Sequence, residues 1–254
     1  CRAFGVRSAM PTATALRLCP RAVVVRTPGA MIRAKSRELR AVLPDWSPVV
    51  VMTSVDEGYL DMTGTEALYR YEPLAETARR IQRDIKQRTG LDVSIGGGTN
   101  RLVAKLATSF AKPAGVFVVE PGQEEDFVGR LELSDLIGVG PALLRDLERR
   151  GITSMSALRA LDVDTMASWW GPERARWLWR RCRGIDDSPV GGGRTGSKSI
   201  SSETTFGRDL VELEDLERAL LGRVVDTAAS LRRQQLFART ITVKIRDREF
   251  RDRS

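Results

Sequence analysis

Beyond Val49-Val50-Val51 the chain reads "SVDEGYLDMTG", residues 54–64, with the apolar pair Tyr59-Leu60 in its second half. Two adjacent carboxylates, Asp56 and Glu57, stand there ahead of a glycine. In a regular strand neighbouring side chains point to opposite faces, so two carboxylates meant to act together need a bend between them. Segments 47–55 and 59–63 both read as short apolar strands, too close for any connection but a hairpin. Its tip is Asp56-Glu57-Gly58, with Gly58 supplying the freedom of a tight turn. Both carboxylates can then lean over one end of a sheet. A hard cation such as Mg²⁺ takes one or two carboxylates plus substrate phosphates. Two such ions about 4 Å apart clamp the attacking and leaving oxygens of an in-line phosphoryl displacement. Asp and Glu are also ordinary turn residues, and on the dipeptide alone that plainer reading is favoured.

Outward from the hairpin, strands and helices alternate. A short helix is expected from about Thr12 to Leu18, a strand at 22–25 ("AVVV") and an arginine-rich helix over 30–43. Leu74, Ala78, Ile81 and Ile85 mark the apolar stripe of a helix that Gly90 ends. A strand at 91–96 follows, then a helix capped by Thr99 or Asn100 and running through Phe110, then a strand at 116–119. The alternation predicts a compact α+β sheet domain. From about residue 125 the strands give way to short helices at 124–131, 141–150, 154–161, 164–169 and 172–182. "GGGRTGSKS", 191–199, breaks all periodicity and reads as a linker. A strand-like "SISSETTF", a helix at about 212–234 and a strand at 239–246 open a further unit.

The bulk composition is consistent with this division. The chain has 254 residues, 42% of them hydrophobic, which is ample for packed cores in two or three domains. The net charge of +8 suits a polyanionic partner such as nucleic acid. The charge is uneven: nine Lys/Arg against two acids over 1–55, eighteen against thirteen over 171–254, and an acidic excess between. Three widely spaced cysteines, Cys1, Cys19 and Cys182, offer neither a disulfide framework nor zinc spacing. The absence of histidine removes His-based catalysis. No apolar run reaches the roughly 18 residues of a membrane span. A reduced, cytoplasmic setting is expected, with no membrane partner.

Four motifs in order resemble those of the Y-family of translesion DNA polymerases, the DNA polymerase IV and UmuC-like group. Ser54-Val55-Asp56-Glu57-Gly58-Tyr59-Leu60-Asp61 is similar to the family's active-site motif, roughly Ser-Ile-Asp-Glu-Ala-Tyr-Leu-Asp. "SIGGGTNRLVAKLATSFAKPAG", 94–115, resembles its "SIG…NK..AK.A…AKP.G". "RAFGVRSAMP", 2–11, resembles the fingers motif, and "KSISSETTF", 198–206, the start of the little finger. Together they span nearly the whole chain.

The resemblance implies a right-hand polymerase: fingers at 1–27, a palm with a ferredoxin-like mixed sheet at 28–122, an all-helical thumb at 123–190, a linker at 191–199 and part of an α/β little finger at 200–254. It implies template-directed nucleotidyl transfer from dNTP to a primer 3′-OH, error-prone translesion synthesis, with two Mg²⁺ ions. The alternative is a non-catalytic DNA-binding subunit of a mutagenesis complex; a palm-like nucleotide cyclase explains neither the helical middle nor 198–206. Asp56 and Glu57 would be metal ligands, and Arg2 and Lys112 would contact the nucleotide triphosphate, as a guanidinium fork and a mobile point charge respectively. Asn100 and Lys105 are secondary candidates, Lys105 reading equally as a residue that solvates its helix. The family's first metal-binding aspartate, and its aromatic gate against ribonucleotides, are expected upstream of Cys1, which would leave this chain's metal site incomplete. Primer–template DNA and dNTP are the expected partners of a monomer, with a sliding clamp engaged through residues beyond Ser254.

In the helical middle, Gly138-Val139-Gly140 opens a helix and would expose backbone N–H groups to an anion. This resembles a helix-hairpin-helix, which grips a DNA phosphate without reading sequence. Arg145, Arg149 and Arg150 follow it. Trp169, Trp170, Trp177 and Trp179 at helical spacing read as core. Arg194, Lys198, Arg232, Arg233, Arg239 and Lys244 are candidates for a DNA-backbone groove or for a solvated face.

Overall fold

The computed structural model describes residues 1–191, 198–249 and 251–253. They fall into two units, Cys1–Gly191 and Gly192–Ser254. The division lies within the expected linker, most of which is outside the described residues.

The first unit begins with a 3₁₀ turn, Arg2–Phe4, followed by helices α1, Thr12–Leu18, and α2, Gly29–Val42. The strand expected at 22–25 does not form; Val23, Val24 and Val25 are exposed, and no ladder engages them among the described residues. A β-branched run becomes a strand only where another edge takes up its N–H and C=O groups. The hairpin is present. Strands β1, Val49–Met52, and β2, Gly58–Asp61, pair antiparallel with Val49 opposite Asp61 and Met52 opposite Gly58. Helix α3, Leu74–Thr89, ends at Gly90, whose φ of 72° is the left-handed conformation that closes a helix. Strand β3, Ile95–Gly97, runs parallel to β4, Val116–Val118, and helix α4, Arg101–Ala111, connects them.

The expected strand at 91–96 narrows to its end, because Leu91–Ser94 find no ladder. The strands also do not join into the single mixed sheet expected of a ferredoxin-like palm. Among the described residues they form separate two-stranded pairs. Both pairs of the first unit nevertheless rest on one helical layer. Leu39, Val42 and Leu43 from the end of α2 meet Ile81 and Ile85 of α3, and Val50, Met52, Leu60, Val93 and Ile95 pack against that seam.

Helices α5, Glu124–Gly129, α6, Pro141–Arg149, α7, Met155–Arg159, α8, Val163–Trp170, and α9, Pro172–Arg181, surround a second core. Leu136, Leu147, Leu158, Met166 and Leu178 are fully buried in it. Each such side chain contributes about 1.5–3 kcal/mol relative to exposure. Ser154 and Asp162 cap α7 and α8 with their side-chain oxygens. The four tryptophans pack around this core, as their spacing predicts. Leu102 and Leu106 of α4 enter the same core, so α4 serves both halves of the unit.

The second unit contains helix α10, Leu213–Arg233, and an antiparallel pair, β5, Ile245–Arg246, with β6, Asp252–Arg253. The strand expected at 239–246 is reduced to these two residues, and 198–206 carries no strand. No residue of α10 is buried.

Candidate active site

Residues Thr53–Glu57 join β1 to β2 and are exposed. The amides of Thr53 and Ser54 donate to the Glu57 carbonyl at 2.9 and 3.2 Å. The Ser54 hydroxyl accepts from the amides of Asp56 and Glu57 at 3.2 and 3.0 Å and donates to Asp56 Oδ1. Serine commonly ties a turn in this way, and here it fixes the backbone that bears both carboxylates. The role expected of Gly58 needs correcting. It lies in β2 rather than in the turn and has no positive φ. A Cβ there would fall 2.7 Å from Met52 Sδ, the movable end of a flexible side chain, and 3.1 Å from the Val51 carbonyl, so the strand admits only a small residue here, glycine or the alanine of the family motif. At the far end of β2, the hydroxyl and amide of Thr63 hold the Asp61 carboxyl below the usual carboxylate range.

Helix α4 supplies the cations beside this tip. Asn100 is its cap: the side chain accepts from Val103 N and donates to the Gly184 carbonyl at 2.8 Å. Gly96 lets β3 lie directly on the helix, for a Cβ there would be 2.2 Å from the Ala104 carbonyl. Lys105, one residue further along, reaches Glu57 Oε1 at 2.6 Å. Arg101 stacks on Tyr59 of β2 at 4.6 Å and donates to the Pro189 carbonyl at 3.1 Å. These contacts bind the carboxylate hairpin to α4 and to the last segment of the first unit.

The remaining candidates are more scattered. Lys112, the C-terminal cap of α4, is exposed, seven residues or about 10 Å along the helix from Lys105. Arg2 is exposed, and among the described residues neither it nor Lys112 makes an ion pair. Gly138 and Gly140 open α6; Gly138 has φ +96° and lies against the Trp177 ring, whereas Gly140 faces open space. Val139 between them is buried and anchors the loop. Arg145 is exposed on α6. Arg149 and Arg150 pair with Asp146, whose carboxyl the Trp170 indole N–H, and then the Arg149 guanidinium, hold below its ordinary pKa. Arg150 also stacks on Trp169 at 4.4 Å. In the second unit Lys198 and Arg239 are exposed, and Lys244 pairs with Asp252 at 3.1 Å. Arg194 lies outside the described residues.

Local sequence gives little sign of Arg101 as a strut, of Ser54 as the knot of the turn, or of the pair between Lys105 and Glu57. Each depends on a partner brought close by the fold or by the turn itself.

The donors at the hairpin tip are hard oxygens. Among the described residues no group of three or more His, Cys, Asp or Glu could enclose a metal ion. Two adjacent exposed carboxylates fit an ion of the Mg²⁺ kind, which takes one or two carboxylates and fills its shell with phosphates and water.

Family models match both parts of the chain. Residues 1–109 match the impB/mucB/samB family, and 197–254 match its C-terminal domain. The chain is 38% identical over 250 residues to the DNA polymerase IV of Gluconobacter oxydans and, again at 38%, to that of Halorhodospira halophila. Each alignment covers 98% of this chain and 69% of the relative. Among solved structures, a Y-family DNA polymerase chimera superposes with a TM-score of 0.78 at 24% identity, covering 90% of this chain and 65% of that one. DinB from Sulfolobus solfataricus gives a TM-score of 0.65 at 26% identity, with 74% of this chain and 55% of that chain covered. The chain belongs to the impB/mucB/samB family of Y-family DNA polymerases. It spans about two thirds of the length of the curated relatives it matches and somewhat less of these structures.

Proposed function

We propose that this chain carries out template-directed DNA synthesis of the translesion kind, in which a primer 3′-oxygen attacks the α-phosphate of a dNTP and pyrophosphate leaves. The observation that carries the reading is the exposed hairpin presenting Asp56 and Glu57 against a helix bearing Lys105 and Lys112, within a chain of this family. Asp56 and Glu57 would hold Mg²⁺. When bound, the ion neutralises phosphate charge and polarises phosphoryl oxygens. Lys112 and Arg2 bind the triphosphate from the palm and fingers. The amides at Gly138–Gly140, at the positive end of α6, bind a duplex phosphate and position the DNA without reading its sequence. In this reading 1–27 are fingers, 28–122 a palm, 123–190 a thumb, 191–199 a linker and 200–254 part of a little finger; Arg145 of the thumb, Lys198 of the linker, and Arg239 and Lys244 of the little finger each contact DNA backbone. A monomeric enzyme and a sliding-clamp partner rest on the family resemblance alone.

The test is primer extension in Mg²⁺, run on the chain and on the chain preceded by the family's aspartate-bearing strand. Extension that copies the template and is abolished by Glu57→Gln supports the reading. Extension indifferent to Glu57→Gln, or none from either protein, overturns it.

A further inference from the structure

Lys105 Nζ lies 2.6 Å from Glu57 Oε1, although the two residues are 48 apart in sequence. No helix periodicity produces this pair; the packing of the hairpin beside α4 does. The side chains are 37% and 50% exposed, and ion pairs so exposed add at most about 1 kcal/mol of stability. The contact therefore matters more for the site than for the fold. Among the described residues it is the one ion pair made by either hairpin carboxylate, since Asp56 is held by the neutral Ser54 hydroxyl. A ligating oxygen sits about 2.0–2.1 Å from Mg²⁺. An ammonium on the same oxygen would place two cations in direct repulsion.

We propose that Lys105 is the resident counter-ion of the carboxylate hairpin and competes with the divalent cation for Glu57. The inference rests on the metal-site reading above. Lys105 quiets the repulsion between two adjacent carboxylates while no cation is bound. It gives way because the bond is exposed and the four-carbon stem is flexible. An anion arriving with the cation offers the released ammonium a new partner, and a lysine is a good point-charge ligand for phosphate. Lys105 is thus a positioning residue for Glu57 rather than a solvating residue of α4.

The experiment is Mn²⁺ binding to the full chain, followed by the loss of the free-ion electron paramagnetic resonance signal. Circular dichroism checks that each variant folds. Lys105→Met and Lys105→Gln should bind Mn²⁺ about two- to fivefold more tightly than the parent, the span that removing one exposed ion pair allows. Lys105→Arg, which keeps the charge, should bind like the parent. Glu57→Gln should bind far more weakly. If Glu57→Gln loses binding while both neutral Lys105 variants match the parent or bind more weakly, the competition is wrong and the metal site stands. If Glu57→Gln binds as the parent does, the metal site fails and the competition fails with it.

Discussion

The indole of Trp177 occupies the space that a side chain at position 138 would need. A Cβ on Gly138 would fall 2.4 Å from Cζ2 and 2.5 Å from Cη2 of that ring, and the backbone there has φ +96°. Gly138 is therefore required twice, by its dihedral and by its neighbour. Gly140 is required by neither, because nothing lies within 4 Å of its Cβ position and its φ is −86°. Gly138→Ala should destabilise the first unit by about 1–3 kcal/mol. Gly140→Ala, at a helix cap, should cost about 1 kcal/mol or less. Urea midpoints at unchanged slope measure both. Equal losses would show that the ring does not support the loop.

The contrast between these two glycines shows where sequence reading succeeds. Gly90, a cap at Thr99 or Asn100, and the Leu74–Ile85 stripe are legible in the sequence because caps and helical stripes are local, and the structure chooses Asn100. The hairpin was readable because 53–57 is too short for another connection. Residues 22–25 have the same β-branched character as 49–51 yet form no strand, since pairing depends on a neighbour that composition does not reveal. The motif singles out the two carboxylates as candidates, and Lys105 as a secondary one, but the pairing of Lys105 with Glu57 and the stacking of Arg101 on Tyr59 have no local signature, because those contacts arise only when α4 packs beside the hairpin.

Thiol chemistry tests the burial of Cys19 and of the helical core that holds Cys182. Cys1 is exposed, while Cys19 and Cys182 are buried. Burial pushes the Cys182 thiol up, outweighing the nearby Arg183 and Arg159 charges that favour the thiolate. Since the thiolate is the reactive form, an aromatic disulfide reagent at pH 8 should titrate Cys1 rapidly and the other two only after denaturation. Rapid release of three equivalents from the native chain would contradict the packing around Leu178 and Cys182.

The β5–β6 pair predicts a pH signature. Arg246, then Lys244, hold the Asp252 carboxyl down to about 2 from an ordinary 3.8. A group depressed in the folded state contributes stability above its unfolded pKa and loses it as pH falls through the folded value. The contribution should therefore be complete above about pH 4 and vanish as pH falls through about 2. Following the Asp252 carboxyl carbon by NMR should give that low midpoint, and Arg246→Gln should raise it. A midpoint near 3.8 in the parent would mean that the ion pair does not form.

Lys112 carries the last prediction. It caps α4 in extended conformation and is exposed, with no carboxylate paired to it among the described residues. Lys105, seven residues earlier, lies on nearly the same helical face, because seven residues is close to two turns. That face meets Glu57, so Lys112 extends the same cationic edge about 10 Å further on. A triphosphate held at the hairpin would reach along it, whereas the duplex phosphate proposed at Gly138–Gly140 lies on a different helix. Lys112→Ala should weaken dNTP binding about tenfold, the loss of one charge-assisted bond, and leave primer–template affinity within about twofold. Lys112→Arg should recover part of the loss, since it keeps the charge but not the point geometry. Equilibrium binding of labelled dNTP and labelled duplex separates the two effects. Equal weakening of both ligands would place Lys112 on the DNA path or in the fold, and the triphosphate role would be wrong.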